Sequence, residues 1–439
     1  MIAPLKLREL IETMLPFDQE KHRDNIVYAF GYGSGVFAQT IQPPLPSSSS
    51  SSSLEPSTKR IDNKPNKKNM IDLIVVVQDS LLFHEANRRK NPHHYPSILV
   101  SSAASAAWWQ RHDLPNFCAP YLTNPKVYFT VVSETSNNNT SSSSRSSSIA
   151  SGGLKYGVVQ TDDLMNDLWN WNYLYLAGRM HKPTVEIINN VPDQDSVKDS
   201  LSQAMQFNLR AALSTALLLL SSPSPPSTIS SPLFDSSSSS FRTAPALCSS
   251  ADIYTQIAAL SYTGDFRMQY AAEDPHKIQK LVHSPGQLER FDTLYQEAIR
   301  TLQQEGILSV TSNTTSSVSS DPLLPQPSKQ WTWDSTHPLA RKQLYSHLPA
   351  TLRSKVAPPD PSVPLSSSSS SSSMQAWNHD LRRAVESIVA PAARYQSMKG
   401  LATAGVRNSL VYAARKLVKG ASGGGGGVLG RLLLGSKTT

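Results

Sequence analysis

One stretch constrains the fold of this chain more than any other. Residues 27–37 (VYAFGYGSGVF) begin as the β-branched and aromatic run of a buried strand and continue as three glycines around one serine. Such a turn lets backbone N–H groups approach a phosphate, because no Cβ stands in the way. Steric requirements alone also produce Gly-x-Gly turns, and the stretch matches neither the P-loop nor the Rossmann glycine spacing.

A second apolar strand follows at residues 70–77 and carries Asp72 near its start. An ionised carboxylate among apolar neighbours is costly unless it is paired or binds a metal ion. A Gly-Ser turn followed by an acid-bearing strand resembles the nucleotidyltransferase superfamily, in which the turn holds a triphosphate and the strand acids hold Mg2+. Those acids usually form a pair two residues apart, whereas Ile74 occupies the second position here.

Segments rich in serine and proline divide the chain. We predict disordered inserts at 43–67, 133–152 and 221–250, because such compositions cannot bury enough apolar surface to fold. Removing the first insert brings Ser34 and Asp72 into one strand–turn–helix–strand unit. The two cysteines have no metal-ligand spacing, which predicts reduced thiols in an intracellular protein.

The order of short strands and helices predicts an α+β protein. Residues 1–195 are predicted to form a domain on a mixed sheet, with strands near 27–30, 70–77, 126–132, 155–159 and 184–188. Four further parts follow this domain along the chain. They are a mostly helical domain at 196–310, a return segment at 329–357, basic amphipathic helices at 374–419 that Pro391 separates into two, and a flexible tail at 420–439.

The net charge of +8 is concentrated at the C-terminus, because residues 374–439 contain ten Lys or Arg and only two acids. This asymmetry indicates an acidic partner surface, either a membrane or nucleic acid. A helix ending near 419 would place apolar residues on one face and four cations on the other face or its edge, as expected at an anionic bilayer. A helix packed on the protein is the alternative. The cations are Arg407, Arg415, Lys416 and Lys419.

Several separate blocks together resemble one family, the mitochondrial phosphatidate cytidylyltransferases. These proteins are also called mitochondrial CDP-diacylglycerol synthases or translocator assembly and maintenance proteins. The resemblance covers nearly all of the sequence outside the serine-rich segments. The blocks are AFGYGSGVFAQ (29–39), MIDLIVVV (70–77), FHEANRRKNPHHY (83–95), KYGVV (155–159), DLWNWNYLYLAGRMHKP (167–183), LSYTGDFRM (260–268), EDPHKIQKLV (273–282) and YQSMKGLATAGVRNSLVYAARKL (395–417).

The resemblance implies transfer of a cytidylyl group from CTP to phosphatidate, giving CDP-diacylglycerol for cardiolipin and phosphatidylglycerol synthesis. It also implies a nucleotidyltransferase-like domain followed by a winged-helix-like domain, bound peripherally to the matrix side of the mitochondrial inner membrane. A phosphate nucleophile, whose second pKa is near 6, needs little help from a base. It needs positioning, a metal clamp on the polyphosphate and cations for the developing charge.

These requirements assign roles to particular residues. The resemblance places the triphosphate on Gly33 and Ser34 and places Mg2+ on Asp72. A second metal ligand is expected from Asp167 or Asp265, and the choice between them stays open. Phosphate contacts are expected from Lys155, Arg179 and Lys182, for which ordinary solvated charge is the alternative.

Two further groups lie near this machinery in the sequence. Polar residues just beyond the Asp72 strand are candidates for contact with the substrate or for a structural cluster: His84, Asn87, His94 and Tyr95. Asp265 and Arg267, in a glycine-containing turn of the helical domain, either contribute to the active site or form a surface ion pair.

Two rival functions belong to other classes. A protein that has lost activity through the missing strand acid would be a membrane-associated scaffold. A nucleic-acid-binding protein would use the basic tail, but the sequence shows no RNA motif and no aromatic residues interleaved with basic ones on a sheet. We therefore expect no nucleic-acid partner.

Overall fold

The structure is a computed structural model that describes most of the chain outside the serine-rich segments. The described residues are 4–16, 24–37, 70–114, 121–132, 153–190, 196–220, 246–269, 274–311, 329–334, 337–359 and 368–404. The predicted inserts at 43–67 and 133–152 lie outside the described residues, as does the predicted tail at 420–439.

All five strands that the sequence predicts are present and form one mixed sheet. In chain order they are β1 (Ile26–Tyr32), β2 (Ile71–Val77), β3 (Tyr128–Val132), β4 (Leu154–Gln160) and β5 (Val185–Asn189). Their order across the sheet is β3-β4-β2-β1-β5, with β2 and β4 parallel and the other neighbours antiparallel. The end of β1 and the starts of β2, β4 and β5 therefore meet at one edge.

Helices cover both faces of this sheet. One face packs against α1 (Pro4–Met14) and α2 (Ser80–Lys90), and α2 in turn packs against α3 (Ala103–Arg111). The other face packs against α4 (Thr161–Asn170), α5 (Ala177–Met180) and α6 (Ser196–Leu220). Because both faces are buried, β2 is apolar at every position except Asp72, as expected for a central strand.

The second block is mostly helical, as predicted, and α6 packs against its helices. Its helices are α7 (Ser250–Leu260), α8 (Phe266–Gln269), α9 (Lys277–His283), α10 (Gln287–Gln304), α11 (Pro338–Ser346) and α12 (Ala350–Arg353). The prediction of an α+β protein with a five-stranded mixed sheet is thus confirmed.

The sequence pattern did not locate the strands of a small antiparallel sheet in this block. The sheet consists of β6 (Ala246–Ser249), β7 (Leu308–Val310) and β8 (Gln330–Trp333), in the order β6-β8-β7. The predicted insert at 221–250 was therefore too long, since β6 and the first residue of α7 lie inside it. Short strands that pair over long sequence separations leave little periodic signal.

The C-terminal helix, α13 (Ser368–Ala404), differs from the prediction. It continues through Pro391, which was expected to separate two helices, and it begins at Ser368, before the predicted start at residue 374. A proline inside a helix costs about 3 kcal/mol or more. Burial of apolar side chains on both sides of the proline offsets this cost, for example at Leu381, Val385 and Ala392.

The described part of α13 is packed on the protein. Lys399 is 2% exposed and donates to Asn124 Oδ1 at 2.6 Å, and Ser97 Oγ donates to the carbonyl of Ala402 at 2.7 Å. The alternative of a helix packed on the protein therefore describes residues 374–404, and membrane binding by this segment stays a prediction. The predicted membrane contacts lie outside the described residues; they are Arg407, Arg415, Lys416 and Lys419. Among the described residues, no helix is long and apolar enough to cross a bilayer.

Candidate active site

The sheet register brings the first predicted site residues together at one edge. Asp72 pairs with Tyr32 across β1 and β2 and with Lys155 across β2 and β4. Paired residues on neighbouring strands point to the same face. The turn of Gly33 and Ser34 follows β1 directly, and all five residues are partly exposed, whereas most of the strand residues beyond them are buried.

The glycine turn lies against the start of β2. Gly33 has a φ of +79°, in the left-handed region that favours glycine, and a Cβ there would come within 3.4 Å of Asp72 Oδ2. A Cβ on Gly35 would lie 2.1 Å from the carbonyl oxygen of Met70, so only glycine is tolerated at this position. The glycines therefore hold the turn beside the carboxylate of Asp72.

Two of the predicted cations face the same aromatic ring next to this turn. Lys155 Nζ lies 4.6 Å from the ring centre of Phe129, and the Arg179 guanidinium lies 5.8 Å from that ring. Arg179 also lies 5.5 Å from the Tyr32 ring and 3.8 Å from the Tyr175 ring. The aromatic surfaces hold both cations by cation–π attraction and place positive charge at the sheet edge.

Lys182 lies where the sheet block meets the helical block. Its ammonium donates to the carbonyl of Gly178 at 2.7 Å and to Ser261 Oγ at 2.6 Å, and it lies 4.8 Å from the ring centre of Tyr262. Burial lowers the pKa of Lys182 well below its usual range, and the positive charges of Arg179 and Lys277 lower it further. An anion bound nearby would reverse these effects and stabilise the ammonium form.

Asp167, one of the two candidates for a second metal ligand, has a structural role instead. Its carboxylate is 2% exposed and accepts hydrogen bonds from five consecutive backbone N–H groups of the loop 173–177, at 2.9–3.1 Å. These donors occupy both oxygens. Asp167 therefore fixes the loop that leads into α5 and its Arg179, and it has no oxygen left for a metal ion.

Asp265, the other candidate, is paired with Arg267. Asp265 is 1% exposed and accepts from Arg267 Nη2 at 2.6 Å, from Arg267 Nε at 3.0 Å and from the Arg267 backbone N–H at 3.0 Å. The alternative of an ion pair describes its side chain better than metal coordination. The pair is mostly buried on the carboxylate side and stabilises the turn that carries Tyr262.

The four polar candidates beyond β2 form a buried network on the opposite face of the sheet. Tyr156 follows Lys155 on β4 and points the other way. Its hydroxyl accepts from Asn87 Nδ2 at 2.7 Å and lies 2.8 Å from His94 Nδ1. The Tyr95 hydroxyl lies 2.9 Å from both Asn87 Nδ2 and the Nδ1 of the other histidine, His84.

This network has no access to a substrate at the sheet edge. Its histidines and asparagine are at most 1% exposed, and burial lowers the pKa of His84 and of His94 to about 4, so both rings are neutral at pH 7. Of the two alternatives, the buried hydrogen-bonded network supports a structural cluster at these four positions. Sequence position near Asp72 did not reveal which face of the sheet they occupy.

Sequence reasoning missed two residues beside the site. Tyr32 follows the buried strand pattern, but its position opposite Asp72 makes it part of the edge. Lys277, at the start of α9, lies 5.3 Å from the ring centre of Tyr262. Its place in the block at 273–282 was visible in the sequence, but its proximity to Lys182 depends on the tertiary fold.

The side chains at the sheet edge show which ligands are available for the predicted Mg2+ site. In the part of the chain that the structure describes, no three His, Cys, Asp or Glu side chains come together as a metal cluster. Mg2+ commonly uses one or two carboxylates together with substrate phosphates and waters. Asp72, partly exposed beside the glycine turn, fits a metal that is held largely by the nucleotide.

A glycine turn, a strand carboxylate and cations at one edge of a mixed sheet define the class of protein. This arrangement resembles the site expected of a nucleotidyltransferase-like protein. The family model described as "Phosphatidate cytidylyltransferase, mitochondrial" matches residues 19–419. The chain belongs to this family.

Relatives that bear the same name align over part of the chain. The mouse protein is 30% identical and the rat protein 31% identical over 273 residues, which is 61% of this chain and 65% of each relative. The Drosophila melanogaster protein is 36% identical over 146 residues, which is 33% of each chain. The alignments with mouse and rat thus span slightly less than two thirds of those proteins.

Proposed function

We propose that the protein is a Mg2+-dependent CTP:phosphatidate cytidylyltransferase that forms CDP-diacylglycerol and pyrophosphate. The observation that carries the proposal is the sheet register, which places the Gly33–Ser34 turn, Asp72 and Lys155 on three neighbouring strands. Arg179 adds a second cation over the same aromatic ring as Lys155. The names of the relatives supply the substrates.

The reaction needs alignment of two anions rather than a strong base. An oxygen of the phosphatidate phosphomonoester attacks the α-phosphorus of CTP, a new P–O bond forms, and the bond to the β-phosphate breaks to release pyrophosphate. The phosphomonoester is largely dianionic at pH 7, so no proton has to be removed first. When bound, Mg2+ would offset charge on the phosphate oxygens.

The chain's own residues supply the alignment. Backbone groups and the hydroxyl of the Gly33–Ser34 turn would hold the triphosphate, and Lys155 and Arg179 would neutralise its charge. Asp72 would hold the metal ion against the same phosphates. Burial raises the pKa of Tyr32, so its phenol stays protonated as a hydrogen-bond donor beside them.

The test uses labelled CTP, phosphatidate vesicles and Mg2+ with the full chain. We expect Asp72→Asn to lower turnover by at least about 100-fold, because even changes to groups behind a metal ligand cost 10–100-fold. Asp199→Asn, at an exposed position on α6, is the matched control and should keep full activity. A folded wild-type protein without turnover would support the scaffold alternative and refute the proposal.

We also propose peripheral association with the matrix face of the mitochondrial inner membrane. The relatives are named mitochondrial, and the net positive charge is concentrated near the C-terminus. Apolar side chains are exposed where α13 reaches the 3₁₀ turn at 98–100: Ile98 is 87% exposed and Leu401 is 52% exposed. Basic residues contribute roughly 1 kcal/mol each near an anionic membrane.

The structure determines where to truncate in the membrane test. Removing residues from 380 onward would delete buried residues of α13, such as Leu381 and Ile388, and would unfold the protein. Removing 405–439 leaves that packing intact. We expect this truncated chain to lose sedimentation with cardiolipin-containing liposomes. Unchanged sedimentation would refute the role of the tail, and retardation of RNA by the full chain at physiological salt would favour the nucleic-acid alternative.

A further inference from the structure

A tyrosine at the junction of the two blocks is approached by two lysines that are far apart in the sequence. Lys182 Nζ, which precedes β5, lies 4.8 Å from the ring centre of Tyr262, and Lys277 Nζ, from α9, lies 5.3 Å from it. All three residues are partly exposed, so the group reaches the protein surface, although the Lys182 ammonium itself is largely desolvated. We call Lys182, Tyr262 and Lys277 the junction cluster.

The turn that carries Tyr262 is held in place from two sides. A Cβ on Gly178 would lie 2.4 Å from the Ser261 Cβ, so the close approach of α5 to this turn requires glycine. Gly264, with a φ of +76°, makes the same kind of approach to Glu386 of α13. The ion pair of Asp265 and Arg267 closes the turn. The position of the tyrosine ring is therefore set by the fold.

The electrostatics of the junction cluster favour an anion. Among the described residues, Lys182 makes no ion pair, and its hydrogen bonds go to a carbonyl and a hydroxyl, which are neutral. Arg179 lies close enough to interact with both Lys182 and Tyr262. Like charges gathered in a partly desolvated site repel one another, and a bound anion removes that repulsion.

We propose that the junction cluster binds the phosphomonoester of the lipid acceptor while the glycine turn binds the nucleotide. The cluster provides two ammonium groups for a compact dianion, separate from the Gly33–Ser34 turn. Arg179 lies between the two sites, since it contacts Tyr32 at one of them and interacts with Lys182 at the other. The inference rests on the proposed cytidylyltransferase function and adds to it an acceptor site made partly by the helical block.

The variant Lys277→Gln tests the proposal because it removes a charge from a partly exposed side chain. We expect the KM for phosphatidate to rise roughly tenfold, as for loss of one charge-assisted hydrogen bond, while the KM for CTP changes by less than about twofold. Lys277→Arg should restore most of the affinity. Lys280→Gln is the matched control on the same helix, because Lys280 is paired with Asp274, and it should leave both constants unchanged.

A binding measurement separates this inference from the proposed function. Titration of soluble dioctanoyl phosphatidate without CTP should show binding that is weakened about tenfold by Lys277→Gln and not by Lys280→Gln. This result in a protein without turnover would refute the proposed function and support the phosphomonoester site. Equal binding by wild type and Lys277→Gln, or a rise in the KM for CTP alone, would overturn the inference.

Discussion

Asp167→Asn is the substitution that best distinguishes a structural carboxylate from a metal ligand. In the native structure Oδ1 accepts from the N–H groups of Tyr173 and Leu174, and Oδ2 accepts from three further N–H groups of the same loop. Asparagine keeps one acceptor oxygen and replaces the other with an amide that is itself a donor. Two or three backbone N–H groups therefore lose their acceptor.

The expected magnitude follows from this count. A buried donor without a partner costs about 1–3 kcal/mol, so we expect Asp167→Asn to lower the free energy of unfolding by about 4 kcal/mol. Urea unfolding followed by circular dichroism measures the change. Asp162→Asn, exposed on the same helix, should stay within about 0.5 kcal/mol of wild type. Wild-type stability with selective loss of Mg2+-dependent turnover would refute the structural role and restore Asp167 as a ligand.

Three further predictions concern the turn, the buried histidines and the junction. Gly35→Ala should reduce soluble expression and turnover severely, because its Cβ would lie 2.1 Å from the Met70 carbonyl oxygen; normal crystals or activity of this variant would contradict the turn geometry. The free energy of unfolding in urea should fall as the pH drops from about 6.5 to 4. His84 and His94 have a pKa of about 4 in the folded protein, so over this range they take up protons in the unfolded state but stay neutral in the folded state. A flat profile over that range would contradict their burial. Gly178→Ala should raise the KM for phosphatidate more than that for CTP, because it pushes the Tyr262 turn away from α5, and equal changes in both constants would argue against the junction site.

The strands were predictable because each is a short apolar run bounded by polar or glycine-rich sequence. Asp72 was the informative exception in β2, since a carboxylate in a buried strand needs a reason, and the register places it at the edge beside Gly33. The pairing of Asp72 with Lys155 was not accessible from the sequence, because strand order depends on contacts across a long segment.

Most differences between the predictions and the structure come from the direction of side chains and from interactions made within the protein. His94 and its neighbours follow Asp72 in the chain but belong to the opposite face, and a sequence without a known register does not specify the face. The sequence does not distinguish Asp167 from an acid that binds a metal ion. In the structure its carboxylate accepts hydrogen bonds from five backbone N–H groups of the segment 173–177, which leads into α5. Pro391 was taken as a break, because local propensity does not include the burial that keeps α13 continuous.

The missing acid at position 74 has a physical explanation in the packing. Ile74 is fully buried, and a Cβ on Gly157 would lie 2.9 Å from Ile74 Cδ1 and 2.6 Å from Phe129 Cε1. The isoleucine and the phenylalanine thus pack together over the glycine, and the same phenylalanine ring faces Lys155 and Arg179. A carboxylate at position 74 would be desolvated in this core and would remove the apolar support beneath that ring. In the proposed site, one strand acid and the two cations over the Phe129 ring would neutralise a triphosphate without a second metal ligand on β2. The departure from the paired acids therefore does not by itself favour the inactive scaffold.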